Sequence, residues 1–439
     1  MIYLYTVILI ILALMVFFIF KDALSPAFLF CLPWIVSFIG LSFSQYTYST
    51  DSLVYSYIVL GAFTFILGFG MILGKVDFKK RYTSYNKKFT FNKLSFRILI
   101  LCESLITLYL VFKHVIYVRS HFVVSIYQSI RQGLATGTLV LPEYLIYARS
   151  IIIMLSVCIV VIYFNIDEKQ KKSFRKIIYT QLLLAIVNLT TTMTRNGILI
   201  SALPILIAFL ICKNFSNRKI FKYGGIFSII FLVFFSVIAI MKVSYISNYD
   251  SNLQLLTNQF SLYMSGSLVA LERFLETNNE YLYGQNTFRV FSAIFSRIYG
   301  GGEVQQLVQN TISIDGHQGT NVYTFYQYYA KDFGMVYALG IQFVIGMFHA
   351  LLYKMMLSKE PIKIYFFSIM TYPLIMEFFQ DQYFSLASTW VQYFIIGLIF
   401  FKSSIFLKGN IIKEPNLGIN GLDTKMFRTN RRNNEYIQK

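Results

Sequence analysis

Residues 223–241 read YGGIFSIIFLVFFSVIAIM, and residues 334–353 read GMVYALGIQFVIGMFHALLY. Neither run contains an Asp, Glu, Lys or Arg. A helix rising about 1.5 Å per residue needs about 20 such residues to cross a bilayer's hydrocarbon layer. Both runs are continuous rather than alternating, which argues against a β-barrel. Between them lies Lys242–Phe333, the one long segment that cannot be divided into spans.

Working outward, the same pattern recurs. The 439-residue chain is 56% hydrophobic, 18% aromatic and only 13% charged, whereas soluble domains carry about 25% charged residues. Hydropathy predicts eleven spans, at 2–20, 24–43, 53–74, 95–112, 144–163, 177–193, 197–212, 223–241, 334–353, 364–379 and 388–407. The expected fold class is therefore all-α, a polytopic transmembrane helical protein with one large extracytoplasmic loop. Met1–Phe20 lacks a basic n-region and an A-x-A site, so it is expected to stay as the first span. Cys31, Cys102, Cys158 and Cys212 fall in or at the ends of spans without metal-ligand spacing, and read as buried apolar side chains.

A net charge of +19 would suggest nucleic acid in a soluble protein. Here it follows the positive-inside rule. Alternate connections are basic: Lys21, Lys75–Lys93, Lys169–Lys176, Lys213–Lys222, Lys354–Lys363 and the tail from Lys402. They hold 28 of the 39 Lys and Arg residues, 22 of them Lys. That side is expected to be cytoplasmic, with the N-terminus outside and the C-terminus inside; the resemblance given below implies a bacterial cytoplasmic membrane. The expected division is a bundle over 1–241, the loop 242–333, C-terminal spans over 334–407 and a basic, disordered tail over 408–439.

The remaining basic residues differ in kind. They are Lys113, Lys242 and Lys331, with Arg97, Arg119, Arg131, Arg149, Arg195, Arg273, Arg289 and Arg297. Topology needs only positive charge, whereas the guanidinium fork suits phosphate and carboxylate. An anionic ligand on the outer face explains the bias; snorkelling or pairing with loop carboxylates is the plainer reading.

Four places could carry chemistry. In TTMTRNG (191–197), Arg195 and Gly197 form a closely approachable helix end, suited to phosphate or to a simple interfacial anchor. In GSLVALERFLE (266–276), Glu272 and Arg273 lie within a predicted helix over 253–275, whose apolar spacing suggests that it lies on the membrane. DGHQGTNVYTFYQYYAKDFG (315–334) supplies Asp315, His317, Asn321, Tyr323 and Asp332 next to a span. EFFQDQYF (377–384) places Glu377 and Asp381 at a helix end, as sugar ligands, a base or a solvated cap. Glu103 lies inside a span, where Arg97 is a candidate partner. No nucleotide-binding, nicotinamide or zinc-protease motif is present, and nothing points to a cofactor.

The tight TRNG turn, the loop entry YMSGSLVALERFL and the loop exit NVYTFYQYYAKDFG resemble Wzy-type oligosaccharide repeat-unit polymerases of bacterial surface polysaccharides. The resemblance implies a metal-independent, inverting glycosyltransferase of GT-C type. Its substrates would be undecaprenyl-diphosphate-linked oligosaccharides, with a chain-length regulator and a flippase as candidate partners besides membrane lipid, and no nucleic acid. In that chemistry Arg195, Arg273 and Arg289 would stabilise the departing diphosphate. His317 would be the general base, with Asp332 or Glu272 behind it. Arg297, Arg131, Asn321, Tyr323, Glu377 and Asp381 would bind substrate. A lipid-linked oligosaccharide flippase and an O-antigen ligase are the competing readings.

Overall fold

The computed structural model describes residues 1–44, 53–74, 88–123, 125–191, 195–243, 252–277, 280–300, 311–314 and 319–410. The N-terminal half comprises α1 (Ile2–Phe20), α2 (Pro26–Ser42), α3 (Leu53–Leu73), β1 (Lys88–Phe91), α4 (Lys93–Ser120), α5 (Ile126–Thr136), α6 (Glu143–Asn165), α7 (Glu168–Thr190), α8 (Arg195–Cys212) and α9 (Asn217–Val243). The rest comprises α10 (Asn252–Thr277), α11 (Arg289–Tyr299), β2 (Ile312–Ser313), β3 (Gly319–Thr320), α12 (Tyr326–Phe333), α13 (Met335–Met356), α14 (Pro361–Met376), α15 (Ala387–Lys402) and β4 (Leu407–Asn410). Among the described residues, α1, α3, α4, α6, α9 and α13 are long and apolar enough to cross a membrane. Helices α2, α8, α14 and α15 are apolar but shorter, and α7 begins with the charged run EKQKKSFRK. This is a helical membrane protein.

The described ends of several basic connections lie together at one end of the bundle. Asn217 Nδ2 donates to Lys21 O (3.0 Å), and the Tyr353 hydroxyl donates to Asp22 (2.6 Å). Strand β1 pairs antiparallel with β4 and bridges to Ile166. Lys408–Asn410 thus belong to a strand, a correction to the expected disordered tail; the remainder of the tail lies outside the described residues. The pairing arises because Phe91 and Phe406 pack around Phe96, giving this end an aromatic floor.

Helices α3 and α13 form the tightest pair. A Cβ at Gly68 would stand 2.1 Å from Phe343 O, and one at Gly346 would stand 2.2 Å from Phe65 O. Small residues here let two backbones touch, the usual way membrane helices gain packing energy without a hydrophobic driving force. Helices α4 to α7 form a flank with a small apolar cluster of its own around Leu110, Ile130 and Leu145.

The long loop is not a cap standing apart. Helix α10 forms where expected, but its middle is inside the bundle rather than on a membrane surface. Ser265 and Ser267 to Glu272 are buried. Ser37 Oγ donates to Met264 O, and Ser267 Oγ donates to Phe378 O (2.6 Å). The run SGS explains the correction: small side chains admit α2 and the end of α14, which apolar periodicity alone does not register. The helix with an unburied apolar face is α11, where Phe291, Ile294, Phe295 and Ile298 are exposed and none of its residues is buried.

Candidate functional site

At the end opposite β1 and β4, two of the four motifs become one buried polar cluster. Phe325 N donates to Glu377 O (2.7 Å), and Thr324 N donates to Phe379 O (3.0 Å). These bonds lay the loop exit along the turn between α14 and α15. Thr324 holds φ at 52°, an uncommon conformation for a β-branched residue, with its hydroxyl accepting from Tyr326 N (3.3 Å).

Asp381 accepts from the Tyr329 hydroxyl (2.8 Å), Tyr383 N (3.0 Å) and Ser385 N (2.8 Å). Gln342 Nε2 donates to Glu377 and lies 3.4 Å from the Tyr326 hydroxyl. The Tyr383 hydroxyl meets His349 Nε2 at 2.8 Å. Glu377 and Asp381 are 0% and 2% exposed, which rules out a solvated cap. Burial pushes the Asp381 carboxyl above the ordinary carboxylate range, against the pull of the Ser385, Tyr329 and Tyr383 donors. Tyr383 is likewise raised, by burial first and then by the neighbouring Glu377 carboxylate.

The other candidates separate. Glu272 is buried, and its Oε2 accepts the Tyr55 hydroxyl (3.0 Å). Arg273 Nη1 donates to Ser313 O, holding β2 against α10. Asp332, expected as a reserve base, is the centre of a hydrogen-bonded clamp. It is fully buried and accepts from Asn286 N (3.2 Å), Asn286 Nδ2 (3.0 Å), Thr287 N (2.7 Å) and the Thr287 hydroxyl (2.7 Å). A carboxylate with its lone pairs so occupied is already engaged within the fold. Arg289 follows that clamp at the start of α11, and Arg297 is exposed on the same helix. Tyr323 is buried, with its ring edge-on to Phe274. Arg131 sits on α5, which packs on α4, away from the cluster. Arg195 opens α8, which packs along α14; its side chain, and all of Asp315 and His317, lie outside the described residues.

Two neighbouring cavities adjoin the cluster. An apolar cleft of about 600 Å³ runs between α2, α8, α9, α10 and α14, lined by residues such as Leu29, Leu203, Leu210, Phe221 and Phe235. A smaller cavity of about 100 Å³ is lined by Leu262, Tyr263, Gly319, Thr320, Asn321, Val322 and Phe379. Tyr263 and Phe379 belong to both. Their rings stack 5.9 Å apart, nearly parallel, as a sill between the apolar and polar spaces. His317 lies two positions before Gly319 in the chain.

Gln342, His349, Tyr326, Tyr329 and Tyr383 escaped the sequence reading. Gln342 and His349 are seven apart on an apolar span, two turns on one face, and that spacing was the available signal. The room for Tyr326 is made by Gly61, where a Cβ would stand 1.8 Å from the tyrosine oxygen.

The fold is that of a helical membrane protein, with an apolar cleft beside a buried polar cluster. No family model, curated protein or solved structure matches the chain.

Proposed function

We propose that this protein is a membrane glycosyltransferase that joins polyprenyl-diphosphate-linked oligosaccharide units, a Wzy-type polymerase. The observation that carries the reading is the apolar cleft that shares Tyr263 and Phe379 as lining with the cavity bearing Thr320 and Asn321. A single ligand with a long hydrocarbon chain and a polar head suits both spaces. Mostly apolar lining with a few polar groups is the usual composition of a binding site.

In this reading the end carrying β1 and β4 is cytoplasmic, the eleven apolar segments all cross the membrane, and the loop end faces outward. The sugar hydroxyl of the incoming unit attacks the anomeric carbon of the growing chain. The bond from that carbon to the diphosphate oxygen breaks, and the hydroxyl proton passes to a base. Arg195, Arg273 and Arg289 supply the positive charge for the departing diphosphate. His317 is the base, with Glu272 behind it. Asn321 and Tyr263 border the sugar.

The test is reconstitution in lipid nanodiscs with purified lipid-linked repeat units. A ladder of polymer that is lost in Arg273→Ala and His317→Ala at equal protein recovery supports the reading. Translocation of single units without a ladder makes the protein a flippase. Transfer of finished polymer to a separate acceptor makes it a ligase.

A further inference from the structure

Helices α4 and α7 meet along a seam that should be apolar and is not. The buried positions of α4 are Phe96, Glu103, Thr107, Leu110 and His114, spaced seven, four, three and four apart. That is the stripe along which one helix packs on another. Facing it, α7 buries Gln181 and Asn188, also seven apart. Asn188 Nδ2 donates to the Thr107 hydroxyl oxygen (2.7 Å), which fixes the register.

The seam is short of donors. Neither Glu103 oxygen receives a hydrogen bond, nor do Gln181 Oε1 and Asn188 Oδ1. Gln181 Nε2 is directed to Ile152 O (3.1 Å), and Asn188 Nδ2 also reaches Leu184 O (2.8 Å). Glu103 is 3% exposed, and the Gln181 carboxamide is its polar neighbour. Turning that carboxamide over would give Glu103 one N–H but no compensating charge. Arg97, the partner expected from sequence, is exposed six residues earlier, and Lys113 lies over the Tyr109 ring. A carboxylate in low dielectric with no compensating charge and at most one carboxamide donor is not a resting arrangement.

We propose that Glu103, the carboxamide oxygens of Gln181 and Asn188 and the Thr107 hydroxyl bind a single positive charge within the membrane, either a proton or an alkali cation. One carboxylate among neutral oxygens balances one charge and would leave a divalent ion uncompensated. Glu103 is the eleventh residue of α4, about 15 Å along the helix from Lys93. His114 continues the row towards the loop end, with Nδ1 on Leu110 O (2.7 Å) and Nε2 unbonded. The remaining ionisable groups on the packed faces are few. The buried face of α7 has none, α6 brings Cys158 and the half-buried Arg149, and α5 brings Arg131. The site stands apart from the loop-end cluster and does not rest on the polymerase reading.

Thermal unfolding of the purified protein in nanodiscs tests it. For an alkali cation, replacing choline chloride with sodium chloride at equal ionic strength raises the wild-type Tm by several degrees, and Glu103→Gln removes that rise. For a proton, the cations are indistinguishable, wild-type Tm climbs between pH 8 and pH 6, and Glu103→Gln flattens the climb. Thr107→Val keeps the carboxylate but removes one ligand oxygen, and should raise the sodium concentration needed at least several-fold. A wild-type Tm indifferent to both sodium and pH overturns the proposal. So does a response that Glu103→Gln retains in full.

Discussion

Tyr329 donates its hydroxyl to Asp381 across 2.8 Å, tying α12 to the turn between α14 and α15. Both residues are buried, so the bond cannot be exchanged for water. Tyr329→Phe should cost about 1–3 kcal/mol, the penalty for leaving a buried acceptor short of one donor. Thermal unfolding in detergent reads this directly. An unchanged Tm would mean that Asp381 does not depend on α12 for its burial.

A second expectation concerns the α3–α13 contact. Gly346→Leu drives a side chain into the Phe65 carbonyl, whereas Gly340 on the same helix has nothing within 4 Å of a Cβ. Overpacking a closed interface costs about 1–3 kcal/mol even where the neighbours can shift, and backbone yields less than side chains. Gly346→Leu should therefore sharply reduce monodisperse protein on size-exclusion chromatography, while Gly340→Leu is recovered as wild type. Equal recovery of the two would contradict the contact.

Asp332 separates a structural from a catalytic carboxylate. Asp332→Asn keeps the shape but replaces one acceptor oxygen with a donor facing the Asn286 and Thr287 donors. The expected cost is about 3 kcal/mol, with faster proteolysis between Leu282 and Arg289, the segment whose backbone the clamp holds. Lost polymerisation with unchanged Tm and protease resistance would restore Asp332 as a base.

How much of this was legible differs by level. The helical segments were plain because apolar runs of spanning length have few other uses. The burial of α10 was not legible. Leu256, Phe260, Met264 and Leu268 recur as they would on a surface helix, and only Ser265, Gly266 and Ser267 hint at close packing. The joining of the loop exit to the α14–α15 turn was also hidden. It depends on main-chain bonds from Thr324 and Phe325, which side-chain identity does not reveal. Glu103 stood out in the sequence as a charge within a span. Its surroundings of unpartnered carboxamide oxygens required the α4–α7 register.

The cleft yields the sharpest expectation for the proposed activity. Gly224 and Gly225 line it on α9, and a Cβ at either meets nothing within 4 Å. Gly225→Leu starts its side chain from a Cβ in open space beside the cleft, and it exchanges glycine for a better helix former. The variant should therefore fold at least as well as wild type, yet lose the polyprenyl chain. Native mass spectrometry of both proteins with polyprenyl diphosphate should show binding weakened at least tenfold, and reconstituted polymer should fall in parallel. If Gly225→Leu binds the lipid and makes polymer as wild type does, the cleft is not where the hydrocarbon chain lies, and the observation that carries the proposed function is removed.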